Sequence, residues 1–175
     1  MNIKTRKLIT ASVIGALYAV LTMLLSPISY GPLQFRVSEV LCILPYFLPF
    51  TAWGLFFGCV IANLISAAGI LDIVFGSMAT LFACLCMARL GRKGVSLKTE
   101  LLACLMPVLW NSLIVGTVLC YAMTDLMPWN NLVPFLIYAG DVLLGELVVM
   151  FAIGLPLMQY LPKQKFFSRQ LTKFK

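Results

Sequence analysis

Histidine is absent from the 175 residues, and only six residues are acidic. The first absence removes imidazole acid/base chemistry and zinc sites of the His-Glu-x-x-His kind. No Cys-x-x-Cys pair occurs among Cys42, Cys59, Cys84, Cys86, Cys104 and Cys120, which excludes a zinc ribbon or a thioredoxin-like redox pair. All six cysteines lie in apolar stretches and read as small packing residues. Nor is there a Gly-x-x-x-x-Gly-Lys-Ser/Thr loop to cradle nucleotide phosphates. Charge is scarce too: 11% of residues are charged and 62% hydrophobic, where a soluble domain is about a quarter charged. That leaves too little polar surface to cover a water-soluble globule.

Long apolar runs fill the space. A length of 175 residues allows about five to seven bilayer crossings with short connections, and no second domain. The 13 lysines and arginines could suggest nucleic-acid binding, but their placement argues otherwise. Lys4, Arg6 and Lys7 precede the first apolar run; Arg89, Arg92, Lys93 and Lys98 form one basic loop; Lys163, Lys165, Arg169, Lys173 and Lys175 form the tail. Arg36 is the one cation outside these groups. They read as cytoplasmic anchors under the positive-inside rule. The basic N-terminus followed by Leu8–Leu25 superficially resembles a secretion signal. The run is too long for a typical signal core, and no small-residue cleavage site follows before Pro27, so it is kept as a membrane helix.

Parity then counts the crossings. The first helix leads outward, making Ser26 to Ser38, with Pro27, Gly31 and Pro32, an external loop. The basic loop at 89–98 is inside, which requires an odd number of crossings between the two. One helix would use only about 20 of those residues and strand the apolar remainder, so three are predicted. Pro45 and Pro49 place the turn after a short second helix. The expected helices are 8–25, 38–48, 50–68, 71–88, 100–123 and 133–160, with a basic cytoplasmic tail at 161–175. Both ends are then inside, in a single all-α domain of six transmembrane helices; four crossings result if the second and third helices form a re-entrant hairpin. No internal repeat of the transporter type is present.

Ionisable side chains at membrane depth are expensive, which makes them functional candidates. Arg36, Glu39, Asp72, Asp141 and Glu146 all fall in the outer leaflet or near the midplane. Asp141 lies about 10 Å and Glu146 about 18 Å below Pro134 by helical rise. Asn111 reaches a depth similar to Glu146, and Asn63 lies near the outer end of the third helix. Tyr138 is a further candidate contact. A polar cavity open to the outside and closed beneath by apolar packing follows. Most of these residues also have a structural alternative, though Asp141 has no obvious single partner. Arg36 and Glu39 could pair on one helix face, Asp72 could cap a helix, Asn111 and Glu146 could bond as interhelical glue, and Trp110, Trp129 and Tyr138 could be interface anchors or core. With one cation against four carboxylates, unpaired carboxylates there should protonate or hold a cationic or strongly donor-bearing ligand. A purine-like base suits this, because one carboxylate accepts its ring N–H and its amino group side by side. In the first helix Ala11, Gly15 and Ala19 recur every four residues, permitting close approach by a helix of the same fold or of a partner.

Gln34-Phe35-Arg36-Val37-Ser38-Glu39 with Leu44-Pro45, Leu71-Asp72-Ile73-Val74-Phe75-Gly76-Ser77, Asn111-Ser112-Leu113-Ile114-Val115-Gly116, and Leu144-Gly145-Glu146-Leu147-Val148-Val149 with Gly154-Leu155-Pro156 together resemble the QueT family, over residues 8–160. The resemblance implies a substrate-binding S component of an energy-coupling factor (ECF) transporter, an ABC-type importer of queuosine precursors such as the 7-deazaguanine preQ1 or queuine. It implies a six-helix S-component bundle in the plasma membrane of a prokaryote, with its pocket near the extracellular face. A transmembrane coupling subunit and two ATP-binding subunits complete the assembly, so ATP is used by partners and no cofactor is held in this chain. It also assigns Ala11, Gly15 and Ala19 to docking on the coupling subunit. Arg36, Glu39, Asp72, Asn111 and Glu146 lie within the matching motifs. Two other functions compete. A solitary proton-coupled carrier would use Asp141 and Glu146 as a proton relay. An intramembrane aspartyl protease would use Asp72 and Asp141, but its Gly-x-Gly-Asp motif fails at Tyr138.

Overall fold

In a computed structural model, residues 2–31 and 34–174 are described, and among them every regular element is helical. Six helical elements form the bundle: α1 (Ile3–Leu24), α2 (Val37–Phe47), α3 (Thr51–Ile65), α4 (Asp72–Arg92), α5 (Leu97–Thr124) and α6 (Leu132–Lys163). A separate amphipathic helix, α7 (Lys165–Phe174), follows. Helices α1, α4, α5 and α6 are long and apolar enough to cross a membrane, whereas α2 and α3 are shorter. Pro32 of the expected external loop and Lys175 of the tail lie outside the described residues.

Side-chain and backbone contacts fix the running directions. Ala11 and Gly15 of α1 meet Gly54 and Gly58 of α3 in register, so these helices are parallel. Thr22 and Tyr18 meet Ser38 and Glu39 in reverse order, making α2 antiparallel to α1. Asn111 faces Glu146 while Glu100 faces Gln159, so α5 and α6 are antiparallel. The chain thus runs back and forth six times between two ends. At one end Tyr46 Oη hydrogen-bonds the Thr99 hydroxyl at 2.8 Å, Arg6 stacks on Phe174, and Lys7 lies over Phe50. That end collects the N-terminal, loop and tail cations; the Ser26–Gly31, Ser66–Leu71 and Asp125–Asn131 connections form the opposite end.

How the eleven residues of α2 cover this distance follows from their winding. Residues 37–43 of α2 are 3-10 helix, rising about 2.0 Å per residue instead of about 1.5 Å, so eleven residues reach about 20 Å rather than about 16 Å. Pro45, with no amide to donate, sits where the winding loosens from 3-10 back to α. The opposite adjustment occurs in α6, where Val148–Gly154 widen to π-helix just before Pro156, whose missing amide interrupts the α ladder.

Helix ends at the basic side run past the sequence expectation, whereas α3 stops at Ile65 rather than at 68. Observed α1 begins at Ile3 rather than at 8, and α4 continues to Arg92 rather than ending at 88. Charges end an apolar run, not a helix; the backbone stays hydrogen-bonded past the last apolar residue. At the start of α5 a capping box between Ser96 and Thr99 sets the boundary three residues before the expected one. The tail likewise holds a helix, α7, anchored by the edge-on pair Phe47–Phe167 and by Phe50–Phe174. Asp125 ends α5 in the left-handed conformation that Asp tolerates better than most residues. The main apolar core centres on Tyr18, Ile43, Leu55, Met87, Val108 and Met150. A smaller one, around Val115, Leu119 and Val142, lies toward the loop end.

Candidate functional site

Between the two cores, polar side chains from all six bundle helices are buried. The first group joins α2 to α4. Arg36 Nη2 lies 3.1 Å from Asp72 Oδ2, with both side chains almost wholly enclosed. Ser66 donates to the same Asp72 oxygen at 2.6 Å, and Asn63 Nδ2 donates to the Asp72 carbonyl at 2.9 Å. Gly76 makes this possible: a Cβ there would overlap the Asp72 carboxylate, which folds back over its own π-turn. The Arg36 guanidinium also lies 5.2 Å from the Tyr30 ring centroid, and Tyr30 Oη donates to the Ala62 carbonyl at 2.6 Å. Tyr30 therefore ties the first loop down over the ion pair.

A second group surrounds Glu39, which has no exposed surface. Tyr18 Oη donates to its Oε1, Thr80 Oγ1 donates to the same oxygen at 3.3 Å, and Cys42 Sγ donates to Oε2 at 3.0 Å. Above it the Thr22 and Ser38 hydroxyls bond at 2.6 Å. Cys59 accepts from Tyr18 and from Asn63 Nδ2, linking this group to the first. Cys42 and Cys59 thus carry hydrogen bonds beyond the packing role expected of them. Across the bundle, Asn111 Nδ2 donates to Glu146 Oε1 at 2.8 Å, in the form expected of interhelical glue.

Several candidate pairings resolve differently from their local alternatives. Arg36 pairs with Asp72 across helices and not with Glu39 on its own helix: Arg36 stands just before the first 3-10 turn with a non-helical backbone, and the Glu39 oxygens are taken by Tyr18, Cys42 and Thr80. Asp72 does not cap α4 through its side chain; its carboxylate is taken up by Arg36 and Ser66. Tyr138 is half-buried against the smaller core, and Asp141 is half-buried with no hydrogen bond or ion pair among the described residues. The buried cluster therefore sets one guanidinium against three carboxylates, with Asp141 outside it. Tyr18, Tyr30, Ser66, Thr80, Cys42 and Cys59 are members that sequence reasoning missed. Tyr18 and Thr22 carried a signal, since they continue the Ala11–Gly15 face at spacings of three and four.

Seven buried polar atoms in the described structure have no hydrogen-bond partner: Ser29 Oγ, Arg36 Nε, Asn63 Oδ1, Asp72 Oδ1, Ser77 Oγ, Asn111 Oδ1 and Glu146 Oε2. Each such group costs about 1–3 kcal/mol, so their concentration here demands a reason. Four of them are amide or carboxyl oxygens, and the guanidinium nitrogen can only donate. Among the described residues no set of three metal-ligating side chains is brought together. Cavities lined by other described residues lie elsewhere. An apolar one of about 460 Å³ lies between α4, α5 and Trp129. One of about 740 Å³ lies at the basic end, and one of about 350 Å³ lies along the outer face of α1 and α3.

Ala11, Gly15 and Ala19 are buried, and their stripe is occupied within the fold. A Cβ on Gly15 would overlap the Gly54 carbonyl, and one on Gly58 would overlap that of Gly15. Ser12 and Ala16, beside the stripe, remain exposed and floor the outer groove between Leu8, Trp53 and Phe57.

The profile of the QueT transporter family matches residues 8–163. The queuosine precursor transporter QueT of Lactococcus lactis subsp. cremoris (strain MG1363) is 41% identical over 80 residues, covering 45% of this chain and 47% of that relative. The matched segment spans about half the length of the relative. No solved structure matches the chain.

Proposed function

Because the chain belongs to the QueT transporter family, whose members are transporters and not enzymes, we propose that it captures a queuosine precursor outside the cell for import. The carrying observation is the acceptor excess of the buried cluster: Asn63, Asp72, Asn111 and Glu146 each present an oxygen with no donor. A 7-deazaguanine is rich in donors. Its ring N–H and 2-amino group match one carboxylate side by side, its carbonyl oxygen takes the spare Arg36 Nε–H, and an aminomethyl ammonium offsets the carboxylate excess. Arg36, Glu39, Asn63, Asp72, Asn111 and Glu146 form this site, with Tyr138 and Asp141 on its approach.

Six crossings with both ends in the cytoplasm place the cluster toward the outside of a prokaryotic plasma membrane. Tyr30 and Arg36 then close the first loop over the ligand. The chain acts as the S component of an ECF transporter, docking on a transmembrane coupling subunit that works with two ATP-binding subunits. Docking uses the Ala11–Gly15–Ala19 side of α1 through the exposed Ser12 and Ala16 groove, since the stripe's own backbone is already packed on α3. Release inward follows tipping of the subunit in the membrane.

Titration of the purified protein with the aminomethyl deazaguanine and with guanine, followed by calorimetry, tests this. Saturable binding is expected, weakened about tenfold or more by Glu146→Gln, which removes a charge without changing shape. Absence of saturable binding by both ligands overturns the assignment. Uptake should stop in cells lacking the ATP-binding subunits; uptake that continues fits the solitary proton-coupled carrier instead.

A further inference from the structure

At the basic end, the cavity of about 740 Å³ is lined by four separate parts of the chain. One wall is the turn between α2 and α3, with Phe47, Leu48, Pro49 and Phe50. The second is the end of α4, with Gly91 and Arg92, and the third is α7, presenting Ser168, Leu171, Thr172 and Phe174. Lys7 of α1 completes the rim. Its lining is therefore mixed in a specific way. Aromatic and aliphatic groups make most of the surface, while Lys7 and Arg92 supply two cations and Ser168 and Thr172 two hydroxyls. Neither Lys7 nor Arg92 is paired with a carboxylate or donates a side-chain hydrogen bond among the described residues. Glu100 is the one acidic residue of the neighbouring helix start, and it is buried against Gln159.

We propose that this cavity is a binding site for an anionic phospholipid, with the phosphate held between Lys7 and Arg92 and the glycerol and upper acyl chain covering Phe50, Leu171 and Phe174. Charge complementarity selects an anion, and the apolar lining selects an amphiphile, since free phosphate would leave those rings uncovered. The location agrees, because α1, α4 and α5 all carry their cations where their apolar runs stop, at the level of lipid headgroups. Helix α7 is built for the same boundary. Phe167 and Phe174 turn inward onto Phe47 and Phe50, whereas Lys165, Arg169 and Lys173 recur every four residues along an exposed stripe. The helix is thus a clamp whose inner face closes the lipid site and whose outer face lies along anionic headgroups. This proposal is independent of the substrate assignment.

Native mass spectrometry of the full chain, released from detergent micelles containing phosphatidylglycerol or phosphatidylcholine, reads the site directly. One phosphatidylglycerol retained in preference to phosphatidylcholine is expected. The double variant K7Q/R92Q should weaken that binding about tenfold or more. Ser168→Phe, which fills the cavity at unchanged charge, should weaken it as well. The K93Q/K98Q variant removes equal charge at the same end outside the cavity and should bind normally. Equal retention of both lipids overturns the proposal, as does equal loss in K93Q/K98Q, which would mark diffuse attraction. Full competition by inorganic phosphate or glycerol 3-phosphate also overturns it, by making the site one for a free anion. Thermal unfolding of each variant separates loss of the site from loss of the fold.

Discussion

Glu39 has no contact with solvent and takes its hydrogen bonds from three different neighbours: Tyr18 on α1, Cys42 on α2 and Thr80 on α4. A carboxylate in such a place is tolerated only while its oxygens stay occupied. Tyr18→Phe removes a donor while keeping the ring in the core. Its expected cost is about 1–3 kcal/mol, read as a lowered unfolding temperature of the purified protein. A variant as stable as the parent would show that Tyr18 packs but does not support Glu39. Arg36, Glu39, Asp72, Asn111 and Glu146 were recognisable from the sequence as ionisable or amide groups at membrane depth. Their partners were not. Asp72 is 36 positions from Arg36, and Glu146 is 35 from Asn111, separations over which sequence periodicity carries no register. Asp141 shows the converse limit: depth along a helix was readable, but a face was not, and its side chain lies outside the cluster.

Helices α1 and α3 approach so closely that backbone meets backbone, through Ala11, Gly15, Gly54 and Gly58. Two opposed effects govern Gly54→Ala. Helix propensity favours alanine by about 1 kcal/mol, while the added methyl overlaps the Ala11 carbonyl, which no rotamer change can move aside. Overpacking of this kind costs about 1–3 kcal/mol, so net destabilisation is expected in thermal unfolding, and an unchanged or raised midpoint would refute it. Gly15→Leu would damage the same contact and could not isolate docking. Ser12→Trp, on the exposed groove, is the suitable change: stability and ligand binding should persist while co-purification of the proposed coupling subunit is lost. Normal co-purification would place docking elsewhere. The small-residue spacing announced a close helix contact; which helix filled it depended on Gly54 and Gly58 falling opposite, a fact of tertiary packing.

Across the molecule, the basic termini and the 93–96 turn gather at one end, and the 126–131 connection lies at the other. The proposed six crossings with both ends inside make a direct expectation. A membrane-impermeant maleimide applied to intact cells should label a cysteine introduced at Asn130 and spare one at Ser96. Five of the six native cysteines are buried and the sixth partly so, which keeps the background low. The reverse labelling pattern would turn the polar cluster toward the cytoplasm and remove the importer. The sequence by itself determined the all-helical character, the approximate helix positions and the gathering of cations, because apolar runs and charge placement are local properties read against a bilayer. Tertiary structure alone decided the 3-10 and π winding, the Arg36–Asp72 pairing, the α1–α3 contact and the docking of α7. Each of these depends on which residues from distant parts of the chain arrive at the same place, and close packing permits one such arrangement.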